Sequence, residues 1–142
     1  FICNHCPYVI KIMEKFVFES NELKKIGIST IAIMPNDVSS YPEDSFDNMK
    51  LFAKKYNFEF PYLYDETQNV AKDYNAVCTP DIFGFNVDKN LKYRGRINSD
   101  TIKSNNLDRE LFNAMNLIAN TNSGPKDQYN SFGCSIKWKE DK

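Results

Sequence analysis

The chain opens on Phe1-Ile2-Cys3-Asn4-His5-Cys6-Pro7, an apolar strand-like end that passes through a C-x-x-C into a helical pattern. No other feature limits the fold as much. From Pro7 to about Lys25, Val9, Ile12 or Met13, Phe16, Ser20 and Leu23 recur every three to four residues, so one largely apolar stripe faces a core. Gly27 ends that helix. A cysteine pair at a strand-to-helix junction meets the unpaired N–H groups and the positive end of the helix dipole. Such a setting favours thiolate over thiol and lowers a cysteine pKa from roughly 8.5 to about 3.5–7.5. On this reading Cys3 attacks, Cys6 resolves one turn further along, and His5 stabilises the Cys3 thiolate. Phe1-Ile2-Cys3 reads as the end of a buried strand, so upstream strand residues are expected before it.

The rest of the chain alternates strand and helix signals. Ile28 to Met34 is short, β-branched and mostly apolar, which suits a strand covered on both faces, and Pro35-Asn36-Asp37 stops it. After a polar loop through Tyr41-Pro42-Glu43-Asp44, the residues Phe46, Met49, Phe52 or Ala53 and Tyr56 return to helical spacing. Phe60 to Tyr64 is a short aromatic segment, and Thr67 to Tyr74 reads as a brief helix. Asp81–Asn86 and Leu91–Ile97 flank a turn-forming centre and predict an antiparallel hairpin. Leu107, Leu111, Ala114 or Met115 and Ile118 form a last helical stripe, and residues 120–142 are polar and aperiodic, an extended tail. This order predicts an α/β fold with a mixed central sheet, helices on both faces, and a hairpin and helix toward the C-terminus.

Composition excludes several classes. With 142 residues the chain fits one domain that buries roughly 68–70% of its unfolded surface. Its 18 basic and 19 acidic side chains leave no electrostatic footprint for nucleic acid and no polybasic membrane patch. No apolar run approaches the roughly 18 residues of a membrane span. Four cysteines are too few for a disulfide scaffold, and Cys78 and Cys134 stand apart from the pair, so chemistry explains them better than stapling.

Blander readings of the same residues exist. A C-x-x-C is also half of a zinc site, which Cys78 and Cys134 would complete with His5 as a spare ligand. His5 alone can be a solvated side chain. The aromatic residues Phe16, Phe46, Phe52 and Phe60 read as core, and the Glu43-Asp44 and Lys54-Lys55 doublets as solvated faces. Pro80 cannot donate to a ladder, so it marks either a sheet edge or a cis turn.

The strand-ending Cys3-Asn4-His5-Cys6-Pro7, Thr79-Pro80 before a hairpin, and the element order together resemble the thioredoxin-like superfamily. Further blocks at Tyr41-Pro42-Glu43-Asp44-Ser45, Phe60–Thr67, Cys78-Thr79-Pro80-Asp81, Tyr93-Arg94-Gly95-Arg96 and Gly133–Lys139 are similar to peroxiredoxin-like redoxin (AhpC/TSA-type) proteins. The resemblance implies a thioredoxin-like domain over residues 1–119, N-terminally incomplete, with residues 120–142 as its tail. It also implies that Thr79 and Pro80 line a substrate groove against the C-x-x-C.

The implied activity is thiol–disulfide exchange with protein or small-molecule disulfides, supported by a thiol reductant and needing no cofactor. One alternative is a peroxidase acting through Cys6. There Cys3 stands where peroxiredoxins place a Thr or Ser, and Arg94 or Arg96 would have to supply the activating arginine. Another alternative is a metal-binding or redox-inert module. Cys78, two residues before Pro80, is either a third redox sulfur or an inert buried thiol. Cys134 is a candidate resolving cysteine carried by a mobile strand, or a contact to a partner chain.

Overall fold

The computed structural model describes residues 1–99 and 109–140. Helix α1 spans Pro7–Lys25, with Cys6 as N-cap and Pro7 in the first turn, where its missing N–H costs nothing. Lys24 and Lys25 lie at the negative end of its dipole. The helix closes through a Schellman motif: Gly27 at φ +87° donates to Lys24 O and Ile28 donates to Leu23 O. That closure uses the start of the segment expected to be a strand. Strand β1 accordingly covers only Ala32–Met34, and Ile31 is exposed.

A 3₁₀ turn at Pro42–Asp44 leads to α2, Phe46–Lys55, whose N-cap Ser45 Oγ accepts from Asn48 N at 3.2 Å. Phe52 of α2 packs on Tyr62 of β2, Tyr62–Tyr64, which runs parallel to β1 with Ala32 opposite Tyr62. A short α3, Asn69–Asp73, precedes β3, Cys78–Thr79. The expected hairpin forms from β4, Ile82–Phe85, and β5, Leu91–Gly95. Its turn is held by Asn86 Oδ1, which accepts from Asp88 N and Asn90 N. Helix α4 spans Glu110–Thr121; Leu107 of the expected stripe lies outside the described residues.

The opening residues knit the strand pairs together. Ile2 N donates to Ile33 O at 2.9 Å and Asp81 N donates to Phe1 O at 3.0 Å, so Phe1-Ile2 lies between β1 and the start of β4. Parallel β1–β2 and antiparallel β4–β5 make this a mixed α/β arrangement of the thioredoxin-like kind. Val9, Met13 and Phe16 of α1, Met34, Met49 and Phe52, and Leu111, Met115 and Ile118 of α4 form one core. Two expectations about single residues fail here. Phe46 is 51% exposed with Lys50 Nζ over its ring, because it heads α2 on the outer side. Asp44 is fully buried rather than solvated, for reasons that belong to the site.

The residues after α4 do not hang free. Tyr129 O accepts from Arg96 N, and Gln128 accepts from Arg94 N and donates to Lys92 O, which lays the chain along β5. It then forms β6, Cys134–Ser135, antiparallel to β3 with Cys134 opposite Thr79. Ile136 is buried, Lys137 N donates to Asn36 Oδ1, and Gln68 bonds both Lys137 O and Lys139 N. The segment is polar and aperiodic because backbone and amide hydrogen bonds hold it, without an apolar stripe. No helix among the described residues is long and apolar enough to cross a membrane.

Candidate active site

The loop Cys3–Cys6 is fixed from three directions. Asp44 Oδ1 accepts from Asn4 N at 2.8 Å, and its Oδ2 accepts from Asn36 Nδ2 at 2.9 Å. The Asn4 side chain donates to Glu43 O and accepts from the Tyr62 hydroxyl at 2.8 Å. His5 Nδ1 lies 2.8 Å from Asp44 Oδ2, and its ring stacks on Tyr41. Asp44 is therefore buried with three groups around its carboxylate: Asn4 N, Asn36 Nδ2 and the His5 ring. Sequence reasoning missed it, along with Asn36 and Tyr62. A Pro-Glu-Asp turn carries no signal of inward direction, and its partners are far away in the chain.

The two sulfurs of the pair sit in different chemistry. Cys3 is 1% exposed, its Sγ 3.5 Å from Thr79 Oγ1. Burial pushes its thiol up to about 12, and the Asp44 charge adds to the rise against the help of Thr79. That is a poor environment for the attacking thiolate it was expected to be. Cys6 is 0% exposed and occupies the N-cap of α1, where its Sγ lies 3.4 Å from Thr79 O and 2.7 Å from Cys134 Sγ. Burial raises this thiol too, but hydrogen bonds from the Cys134 side chain and from backbone groups at Val9, Cys134 and Tyr8 outweigh it. The net shift is downward. His5 was expected to act on Cys3; it is turned to Asp44, and the backbone at the helix start acts on Cys6 instead.

Thr79-Pro80 is a cis peptide and closes the other wall. Both residues are buried, since β6 lies on them: a Cβ on Gly133 would stand 1.9 Å from Thr79 O. The expected substrate groove is thus covered by the chain's own tail, and Cys134 reaches Cys6 while remaining partly exposed. Cys78 does not join them. Its Sγ contacts Pro80 O at 3.4 Å, and burial followed by the Asp81 charge pushes it up to about 11. Arg94 is engaged by Asp81 and Asn75 O, and Arg96 by both oxygens of Glu110.

The four-cysteine metal set does not assemble in this arrangement. Among the described residues, Cys3, His5 and Asp44 are the donors whose ligand atoms all fall within 4.8 Å of one another. A metal ion bound there would take the Cys3 sulfur as thiolate and release its proton.

A thiol pair at a helix start, facing a cis-proline turn in a mixed α/β sheet, defines the redoxin class of thioredoxin-like proteins. Two solved structures are similar to this chain in fold and sequence. One is an uncharacterized conserved protein from Geobacillus kaustophilus, 42% identical, with a TM-score of 0.90 over 100% of this chain and 76% of that one. The other is a hypothetical protein from Sinorhizobium meliloti 1021, 34% identical, with a TM-score of 0.89 over 98% of this chain and 77% of that one. No curated protein matches. The AhpC/TSA family profile matches residues 1–95, and the chain belongs to the AhpC/TSA family.

Proposed function

We propose that the chain is a thiol–disulfide oxidoreductase in which Cys6, and not Cys3, is the attacking sulfur. One observation carries the reading. Within a single C-x-x-C, the helix-capping Cys6 is held below its ordinary pKa while burial and Asp44 push Cys3 up to about 12. Exchange requires a thiolate, so attack belongs to the sulfur that ionises first. The substrates are protein or small-molecule disulfides, and a dithiol restores the reduced enzyme. Two arginines that would assist a peroxide are committed elsewhere, Arg94 to Asp81 and Arg96 to Glu110, which favours disulfides over peroxides.

The test compares the wild type, Cys6→Ser and Cys3→Ser in dithiol-driven reduction of a chromogenic disulfide and of hydrogen peroxide. Loss of disulfide turnover by about a hundredfold or more in Cys6→Ser, with activity retained in Cys3→Ser, is expected if Cys6 attacks. Unchanged turnover in Cys6→Ser overturns the assignment. Cys6-dependent peroxide turnover that outpaces disulfide turnover replaces it with a peroxide reductase.

A further inference from the structure

Cys134 Sγ stands directly against Cys6 Sγ, and the fold spends specific interactions to hold it there. The two Sγ atoms are 2.7 Å apart across 128 residues of sequence. A disulfide brings sulfurs to about 2.05 Å, so little movement separates this contact from a bond. Strand β6 is seated by antiparallel pairing to β3, by Gly133 packed against Thr79 O, and by the bonds of Lys137 to Asn36 and Gln68. The Cys3 sulfur has its side-chain contact with the Thr79 hydroxyl at 3.5 Å and meets Cys6 through the Cys6 backbone.

We propose, resting on Cys6 as the attacking thiol, that Cys134 and not Cys3 is its resolving partner, and that the redox cycle closes through an intrachain Cys6–Cys134 disulfide. The Cys6 thiolate attacks one sulfur of a substrate disulfide, forming a mixed disulfide and expelling the other half as a thiolate. That leaving thiolate takes the Cys134 proton. The Cys134 thiolate then attacks Cys6 Sγ, forms the Cys6–Cys134 bond and expels the second half of the substrate as a thiolate, which solvent protonates. The substrate gains two electrons, the two cysteines lose two, and an external dithiol returns the pair to thiols.

The local charges time these steps. In the resting state the hydrogen bond to Cys6, then burial, then the Cys6 charge keep the Cys134 thiol up, while Lys137 opposes them. Once Cys6 is tied up in the mixed disulfide, the charge and the acceptor that held the Cys134 proton are gone and Lys137 remains. Cys134 therefore becomes nucleophilic only after Cys6 has reacted. The strand that carries it covers Thr79 and Pro80, the wall expected to guide a substrate. Cys134 thus occupies the position of an incoming substrate sulfur and must be displaced by one.

The experiment oxidises the reduced full chain with one equivalent of a small symmetric disulfide, quenches in acid, blocks free thiols with N-ethylmaleimide and maps unreduced peptides by mass. A dominant peptide joining Cys6 to Cys134, with Cys3 and Cys78 blocked, is expected, and Cys3→Ser should give the same link. In Cys134→Ser the mixed disulfide at Cys6 should persist at least about tenfold longer. A dominant Cys3–Cys6 link in the wild type, or equally fast resolution in Cys134→Ser, overturns the resolving role and leaves Cys6 as nucleophile. A first adduct on Cys3 overturns both. The wild-type map needs no variant, so a Cys134→Ser chain that folds poorly does not shield the proposal.

Discussion

Alkylation across a pH series should separate the two sulfurs of the C-x-x-C. Burial pushes the Cys3 thiol up to about 12, so at pH 8 its thiolate fraction is about 10⁻⁴ against more than about 10⁻¹ for an ordinary thiol near 8.5. Cys6 lies on the opposite side of that reference, since Cys134 and the backbone at the helix start outweigh its burial. The thiolate is the reacting species, so Cys3 should alkylate at least about a thousandfold more slowly than Cys6 at that pH. Both sulfurs are buried, so the same labelling of denatured protein, where the two should react alike, supplies the reference rate. The assay is iodoacetamide labelling of reduced protein from pH 6 to 10, with peptide masses reporting each cysteine. Cys6 labelling should plateau below the pH of a free thiol, and Cys3 labelling should still be climbing at pH 10. Labelling of Cys3 at a rate equal to or above that of Cys6 below pH 8 would show that burial and Asp44 do not set the order of ionisation.

Two substitutions probe the supports of the site. In Gly133→Ala the new methyl meets Thr79 O at 1.9 Å, a backbone atom that cannot swing away. The strap should lift, Cys6 should label faster than in the wild type, and unfolding free energy should fall by about 1–3 kcal/mol; unchanged labelling would mean β6 does not guard Cys6. Asp44→Asn leaves an amide between the donors Asn4 N and Asn36 Nδ2, so one donor meets another and about 1–3 kcal/mol of stability is lost in denaturant unfolding. The same change removes a charge that raises Cys3, so Cys3 alkylation should begin at lower pH than in the wild type.

Local signals carried most of the fold. The stripe Val9, Met13, Phe16, Leu23 and the stop at Gly27 are statements about neighbours three to four residues apart, and α1 follows them closely. The hairpin is equally local, since Asn86 organises its own turn. Strand β1 is shorter than its composition suggests because the Schellman closure at Gly27-Ile28 spends the residues before it. Hydrophobic pattern cannot show that competition, as Ile28 suits either role. Phe46 misleads for the opposite reason: its spacing matches the apolar stripe of α2, yet it stands at the first turn, where the helix has not reached the core.

The division of labour between Cys3 and Cys6 was not legible in the same way, because nothing within four residues decides it. A helix start favours a thiolate at the pair and does not choose between its members. The choice comes from the burial of Cys3, to which the charge of Asp44 adds while anchoring Asn4 across 40 residues, and from Cys134, which reaches Cys6 across 128. Asp44 and Cys134 belong to segments that look like solvent-facing chain when read alone, one a Pro-Glu-Asp turn and the other a polar tail. Their polarity has a different origin: a buried C-x-x-C loop has N–H groups and a charge to satisfy, and a strand laid over a cis-proline turn is held by backbone and amide hydrogen bonds with Ile136 as its buried apolar anchor. Polar, aperiodic sequence after the last helix is therefore compatible with a free tail or with a strap docked on the active site, and Gly133-Cys134 separates the two. A small residue that permits close approach stands directly before the side chain that exploits it, and that pairing is the local trace of a contact otherwise visible only in three dimensions.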